Sequence, residues 1–145
     1  MDVKKDGAGF VSLLIQTHKA LNRRASEELL GMRMKPYMTL NYIRDHPGTT
    51  QQELESALLL DANSVVLMLN ELEAARFSIR KRDPNDRRRH IVELTESGRR
   101  ALEKADKARE SLEDELLKDL SAEERKTLRG LLERVLDSLH SEARA

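Results

Sequence analysis

Three consecutive arginines, Arg87, Arg88 and Arg89, follow Asp86 directly and are the side chains whose type and spacing point most clearly to a chemical partner. Like charges held side by side on an exposed segment repel one another, and a nearby polyanion would remove that repulsion. An arginine also gains from the strongly negative potential of a narrow, A·T-rich minor groove in DNA. Asp86 is expected to orient one of the guanidinium groups, because carboxylate and guanidinium can pair through two hydrogen bonds. The alternative for such a run of charge is a solvated loop without a partner.

The distribution of charge along the chain supports a polyanionic partner, although the net charge of the 145 residues is zero. Residues 76–90 carry seven basic side chains against two acidic ones, a local balance of +5. Residues 110–124 carry seven acidic side chains against one basic one, a local balance of −6. A neutral chain with charges separated in this way has one region that attracts a polyanion and another that repels it.

The elements that must position the arginines are predicted to be mainly helical. Charged residues make up 36% of the chain and aromatic residues 3%, which is typical of amphipathic helices with solvated faces. Apolar residues at helical spacing, together with capping residues and a helix-starting proline, predict six helices. These helices are expected to start near Gly9, Pro36, Thr50, Asp61, Thr95 and Ser121, the first extending to about Leu30 and the fifth to about Lys118. Capping boxes are predicted at residues 50–53 and 121–124, and Asp61 is the predicted N-cap of the fourth helix.

A β-hairpin is predicted between the fourth and fifth helices. Residues 77–82 and 90–94 flank the turn-rich segment 83–86, which indicates two short strands with a long, basic tip. Two short helices joined around Leu59 and Leu60 and followed by this hairpin match a winged helix-turn-helix. The predicted fold class is therefore mainly α with a small β-hairpin wing, flanked by long N- and C-terminal dimerisation helices.

The helix that starts at Asp61 is the predicted recognition helix, because the second helix of a helix-turn-helix places its first turn against base edges in the major groove. Asn63 is suited to pair with adenine, and Ser64 to bind phosphate. Val66 and Leu67 are unusual on a solvated face: they contact thymine methyl groups or they pack against a neighbouring helix. The predicted DNA contacts are Thr50, Gln51, Gln52, Asn63, Ser64, Val66, Leu67, Asn70, Arg80, Arg82, Arg87, Arg88 and Arg89. For residues 50–52 the alternative is a helix cap and nothing more.

The three long helices outside the helix-turn-helix carry more apolar surface than a compact central unit could cover. A second copy of the chain is the simplest way to bury it, which predicts a homodimer. We interpret residues 1–145 as a single domain, with a DNA-binding lobe at residues 32–96 and a helical dimerisation region at residues 8–31 and 97–145.

The sequence carries no recognisable signature of catalysis. Four histidines, His18, His46, His90 and His140, lack metal-ligand spacing, and no glycine-rich phosphate loop or nucleophile motif is present. We predict no enzyme activity, metal or cofactor, although a zinc site built from histidines and carboxylates would leave no signature. The absence of cysteine excludes disulfides, and the absence of a long apolar run predicts a cytoplasmic protein outside the membrane. The rival function is a helical protein-interaction module whose basic wing docks an acidic partner without operator binding.

Residues from about 32 to 102 resemble the MarR family of bacterial regulators. The resemblance rests on Leu72-Glu73, Arg80, the run Asp83-Pro84-Asn85-Asp86-Arg87-Arg88 and the run Leu94-Thr95-Glu96-Ser97-Gly98-Arg99. It implies a homodimeric repressor on a pseudo-palindromic operator, with Arg88 or Arg87 in the minor groove. It also implies that a small molecule, often a phenolic or aromatic acid, releases the DNA from a site between the dimer helices and the winged lobe. The residues expected to meet an anionic effector are His18, Arg23 and Arg24.

Several positions depart from the family pattern. Arg76 stands where glycine usually follows the recognition helix, which predicts a differently shaped helix end. Ser78 stands where an apolar strand residue is usual, which predicts a looser base of the wing. Val66 and Leu67 replace a polar and a basic residue that often contact DNA or ligand in relatives, which weakens the expectation of direct base readout, and of a salicylate-like site, at that turn.

Overall fold

A computed structural model describes residues 9–24 and 31–144, and in these ranges the chain forms six helices and one two-stranded antiparallel sheet. The elements are α1 Gly9–Arg24, α2 Met34–Asp45, α3 Gln51–Leu58, α4 Ala62–Ala74, β1 Ser78–Asp83, β2 Asp86–Leu94, α5 Glu96–Leu116 and α6 Ala122–Arg144. The predicted order of elements is confirmed. The predicted continuation of the first helix to Leu30 lies partly outside the described residues, and the fifth helix ends at Leu116, two residues before its predicted end.

The helices α3, α4 and α6 begin at the capping residues that the sequence predicts. The Thr50 side chain accepts a hydrogen bond from the Glu53 N–H, and the Glu53 carboxylate accepts one from the Thr50 N–H, so the predicted capping box is confirmed. Asp61 accepts a hydrogen bond from a backbone N–H in the first turn of α4. Ser121 and Glu124 form the second predicted box at the start of α6. Each cap satisfies backbone donors that a helix end leaves free.

One hydrophobic core joins α2, α3, α4, β2 and the first half of α5. Its fully buried members include Leu40, Leu54, Val65, Leu69, Leu72, Val92 and Leu102. Burying one such side chain stabilises the fold by roughly 1.5–3 kcal/mol. Because α5 contributes Leu102 and Ala105, the winged lobe is anchored directly to the long helix that follows it.

The wing hairpin turns more tightly than the sequence predicts. Its turn consists of Pro84 and Asn85 alone, and the arginines lie within β2 instead of in a long tip. Asp83 pairs with Asp86 whereas Arg82 pairs with His90, so residues 87–89 have no partner on β1. This bulge projects the arginine run from an otherwise paired strand, which is a common way to re-aim side chains at the edge of a sheet.

Backbone hydrogen bonds hold the wing against the helix-turn-helix. The Val92 N–H donates to the Thr49 carbonyl at 3.0 Å, and Thr50 forms an isolated β-bridge with Ile91. At the base of the wing, Ser78 pairs with Leu94, and the Ser78 side chain is buried with no hydrogen-bond partner for its hydroxyl among the described residues. The predicted loosening of the base is therefore absent from the backbone, because the ladder is complete there.

The end of α4 corrects the expectation for Arg76. Its backbone adopts the left-handed conformation at φ 65° although it is not glycine. The Arg76 N–H donates to the Glu73 carbonyl at 2.9 Å and the Phe77 N–H to the Leu72 carbonyl at 2.9 Å, which is the Schellman pattern that usually ends in glycine. The helix end keeps its ordinary shape, and the arginine carries the strain of the left-handed backbone.

We expect Arg76→Gly to be more stable than Arg76→Ala by about 1 kcal/mol, because only glycine adopts the left-handed backbone without steric strain. Urea unfolding of both variants and the wild type at one fixed protein concentration measures this difference. The alanine variant is the control for loss of the arginine side chain. Equal stabilities for the glycine and alanine variants would show that the helix end carries no strain.

Candidate nucleic-acid interface

The predicted recognition helix, α4, has one buried and one outward face. Val65, Leu69 and Leu72 are buried in the core, as predicted. Asn63 and Leu67 are exposed, Leu67 to 61% of its surface. Val66 and Ser64 are half-buried beside this outward face. The first two turns of α4 therefore offer an uncharged surface with one free amide.

Arg80 joins the base of the wing to the recognition helix. Its Nε donates to Glu73 Oε1 at 2.7 Å, and one terminal nitrogen donates to Glu73 Oε2 at 3.0 Å and to Asn70 Oδ1 at 2.6 Å. The hydrogen bonds from Arg80 hold the pKa of Glu73 below its usual value. Arg80 and Asn70 remain predicted DNA contacts, but both side chains have an internal role that sequence reasoning missed.

The Arg88 side chain is almost fully exposed on the wing. Asp86 accepts hydrogen bonds from the Arg88 N–H at 3.1 Å and from its Nε at 3.2 Å, while 90% of the Arg88 side chain stays exposed. These bonds lower the pKa of Asp86 and keep it ionised. Arg82 and Arg87 are also exposed, and neither is in an ion pair with a described residue. The geometry agrees with the predicted orienting role of Asp86, with Arg88 as its partner.

Arg89 points in the other direction, toward the start of α3. One terminal nitrogen lies 3.9 Å from Glu53 Oε1, and its Nε is buried without a partner among the described residues. Thr50 is buried and its hydroxyl serves the helix cap. Of the predicted contacts at this helix start, Gln52 is exposed and Gln51 half-buried. An open cleft of about 350 Å³ lies among Tyr42, Thr50, Gln52, Glu53, Ser56, Ala57 and Arg89.

The residues predicted to meet an effector do not converge on this cleft. His18 lies on the exposed surface of α1 and contacts Asn22 at 3.1 Å. Arg24 pairs with Glu115 of α5, which ties the end of α1 to that helix. Arg23 is exposed. None of these three side chains lines the cleft beside Arg89.

A half-buried polar network between α2 and α5 was missed by sequence reasoning. The Tyr37 hydroxyl donates to Asp106 at 2.5 Å and accepts from Arg109 Nε at 2.8 Å, while Arg44 donates to the other Asp106 oxygen at 2.5 Å. Burial and the bond to Asp106 raise the pKa of Tyr37. Burial alone would raise the pKa of Asp106, but the bonds from Tyr37 and Arg44 outweigh it and lower that pKa. The network fixes the winged lobe against the long helix.

Two further classes of site are not found in the described ranges. No cluster of three or more histidine, aspartate or glutamate side chains there is arranged to hold a metal ion. No helix in those ranges combines the length and the apolar character needed to cross a membrane.

Comparison with known sequences gives one consistent result. The sequence pattern of the MarR family matches residues 30–89. The transcriptional regulator HosA of Escherichia coli O111:H- is 30% identical over 125 residues, which cover 86% of this chain and 90% of that protein. The transcriptional repressor NicR of Pseudomonas putida is 33% identical over 102 residues, covering 70% of this chain and 65% of NicR. The match spans 60% and 62% of the lengths of two other curated relatives.

Comparison with solved structures gives the same fold. A MarR mutant from E. coli in complex with operator DNA superimposes with a TM-score of 0.79 at 29% identity, covering 94% of this chain and 99% of that one. PcaV from Streptomyces coelicolor, a transcriptional regulator in complex with its natural ligand, superimposes with a TM-score of 0.76 at 25% identity, covering 96% and 97%. Both likenesses extend beyond the winged lobe to the flanking helices.

We expect Asp106→Asn to lower the free energy of unfolding at pH 7 by about 1–3 kcal/mol, because Arg44 and Tyr37 lose a charged acceptor. The folded pKa of Asp106 lies below its ordinary 3.8, so its contribution is present above that pH and is lost as the pH falls through the lowered value. Urea unfolding at pH 7 and pH 3 therefore gives a larger difference between variant and wild type at pH 7 than at pH 3. Asp119→Asn, an exposed carboxylate, is the control; a difference independent of pH would contradict the role of the charge.

Proposed function

Because this chain belongs to the MarR family, we propose that it is a DNA-binding transcriptional regulator that binds a pseudo-palindromic operator as a homodimer. The observation that carries the proposal is the exposed, bulged arginine run of the wing beside a recognition helix with an uncharged outward face. Exposed arginines are suited to phosphate and minor-groove contacts, and an exposed outward helix face is suited to reading base edges in the major groove. Residues 32–96 would form the DNA-binding lobe, and residues 8–31 and 97–145 the dimerisation region.

The wing would supply the minor-groove contact. Arg88 is held outward by Asp86 and is 90% exposed, which favours it over Arg89, whose Nε is buried. A narrow minor groove attracts a guanidinium group through its enhanced negative potential. Arg82 and Arg87, exposed on the same hairpin, would bind the flanking phosphates.

The helix-turn-helix would supply the major-groove contacts. Asn63, exposed in the first turn of α4, is placed to pair with adenine. Gln51 and Gln52 lie at the start of α3, where side chains and free N–H groups bind phosphate. Ser64 would bind phosphate through its hydroxyl, because its N–H donates to Asp61. Thr50 would contribute through its cap, because its side chain is buried.

Exposed apolar side chains support the homodimer. The helix α6 exposes Leu131 to 51%, Val135 to 46% and Leu139 to 50%, and α1 exposes Phe10 to 57% and Ile15 to 50%. A contiguous apolar surface of this kind on a lone chain marks an interface. A two-fold dimer would bury these stripes and would place two winged lobes on the two halves of a palindrome.

The proposal includes repression and release by a small effector. NicR is a repressor, and PcaV has been solved with its natural ligand. His18, Arg23 and Arg24 lie on α1, whose side chains are almost all exposed in the single chain, so an effector site that uses them would be completed by the partner subunit. The relatives are regulators and not enzymes, and we propose no catalytic activity. A repressor of this kind would act in the cytoplasm, where its operator lies.

The competing function is a module whose basic wing docks an acidic protein. Selection of duplexes from a random DNA pool, followed by titration of the selected duplex at increasing salt, separates the two. If the protein is a regulator, the selection recovers an inverted repeat. The protein then binds this duplex with an affinity that falls steeply as the salt concentration rises, because phosphate contacts release counterions. If the protein enriches no duplex even at low salt, a function as a DNA-binding regulator is excluded.

We expect Arg88→Ala to weaken binding to the selected duplex on the order of tenfold at ~0.15 M salt and to reduce the salt slope by about one per subunit. The melting temperature should stay unchanged, because 90% of the Arg88 side chain is exposed. Fluorescence anisotropy and thermal unfolding measure the two quantities. Arg129→Ala removes an 84% exposed arginine from α6 and is the matched control. A variant that melts early yet keeps its affinity would make Arg88 a structural residue.

We expect Val135→Glu to convert the dimer to a monomer at micromolar concentration, because a carboxylate would be buried among the apolar side chains of α6. Sedimentation velocity measures the mass. Glu133→Lys changes the charge of a carboxylate residue with 60% of its side chain exposed on the same helix and should remain dimeric. A Val135→Glu protein that sediments as a dimer would place the interface elsewhere.

A further inference from the structure

Leu67 is an apolar side chain in the middle of the outward face of α4. It exposes 61% of its surface, whereas Val65 and Leu69 on either side of it along the chain are buried. Asn63 and Asn70 share its exposed face at helical spacing. A single exposed leucine is ordinary on a protein surface, so only the surroundings of Leu67 can indicate a role for it.

The surface around Leu67 is electrically neutral. Residues 62–70 contain no charged side chain in a chain that is 36% charged. The two carboxylates that follow on α4 are both paired with arginines, Glu71 with Arg33 and Glu73 with Arg80. At the start of α4 the N-cap Asp61 is an exposed carboxylate that accepts a hydrogen bond from the Ser64 N–H. Between Asp61 and Glu71 this helix face carries no charged side chain, so it neither repels phosphate nor binds it strongly, in contrast to the unpaired arginines of the wing. Such a face is suited to the base edges in the floor of the groove.

Few side chains on this face are free to recognise a base of DNA. The Asn70 side-chain oxygen accepts a hydrogen bond from Arg80 at 2.6 Å, so that oxygen is occupied within the protein. Asn63 has an exposed side chain and Leu67 can make apolar contacts only. Thymine is the one base of DNA that presents a methyl group in the major groove, and apolar side chains read it by contact.

We propose that Leu67 reads the 5-methyl group of a thymine in each half-site of the operator. The proposal rests on the proposed function and specifies what one face of the recognition helix recognises. Asn63 and Leu67 are four residues apart, which is about 6 Å along a helix. Base pairs follow one another every 3.4 Å, so the adenine paired by Asn63 and the thymine read by Leu67 lie within about two base pairs.

The test uses the duplex recovered by selection and replaces its thymines by uracil, one position at a time. Uracil lacks only the methyl group and keeps the base pair. Wild-type protein should lose about fourfold in affinity per half-site at one thymine position, the effect of burying one methyl group. Leu67→Ala should bind the thymine and uracil duplexes equally, and Leu67→Met should keep the preference. Met38→Ala, which removes a side chain 50% exposed on α2, is the matched control and should also keep it.

The outcomes separate this inference from the function on which it rests. If a duplex is recovered and no uracil substitution weakens binding, or if one weakens wild type and Leu67→Ala alike, DNA binding stands and the assignment of Leu67 is overturned. If no duplex is recovered, the proposed function fails first and the assignment fails with it. Thermal unfolding of Leu67→Ala should match the wild type, because the side chain makes no core contact.

Discussion

The bidentate pair between Arg80 and Glu73, extended by Asn70, joins the first strand of the wing to the last turns of the recognition helix. Both partners are half-buried, and the bond lowers the pKa of Glu73, so the pair stays charged over the working range of pH. Two parallel hydrogen bonds fix an angle as well as a distance. This pair therefore sets the relative orientation in which the wing and the recognition helix can contact neighbouring grooves of one duplex.

The backbone around the pair leaves little freedom for another arrangement. Thr95 Oγ1 donates to the Arg76 carbonyl at 2.6 Å and accepts from the Gly98 N–H at 2.9 Å, so one hydroxyl caps α5 and holds the end of α4. A Cβ atom on Gly98 would lie 2.0 Å from the Phe77 carbonyl oxygen. This contact explains the glycine in the run Leu94-Thr95-Glu96-Ser97-Gly98, because only glycine lets α5 pass this close to the base of the wing.

The sequence predicts what depends on neighbours in the chain. The caps at Thr50, Asp61 and Ser121 are local hydrogen bonds, and each was predicted at the right residue. The contacts made by Arg80 and Arg89 depend on which elements pack together, and local pattern says nothing about that. The network of Tyr37 and Asp106 was missed for the same reason.

One signal of that network was present in the sequence: Arg109 falls in the apolar repeat of α5 at positions 98, 102, 105 and 112. A charged residue inside an apolar stripe predicts a buried partner. The strained backbone at Arg76, by contrast, left no such signal. The sequence shows that glycine is missing at the helix end, but it does not show that the helix end keeps its shape without glycine.

We infer that the wing and α4 form one DNA-binding surface, which the two-fold axis of the dimer repeats. Hydroxyl-radical footprinting of the selected duplex tests this arrangement, because cleavage reports protection of the sugar backbone along the minor groove. Two symmetric protected regions are expected, with half-sites about 10 base pairs apart or at a multiple of that spacing and minor-groove protection beside each. A single asymmetric footprint would contradict the two-fold arrangement. Full cleavage along the minor groove beside the half-sites would contradict a contact from the wing.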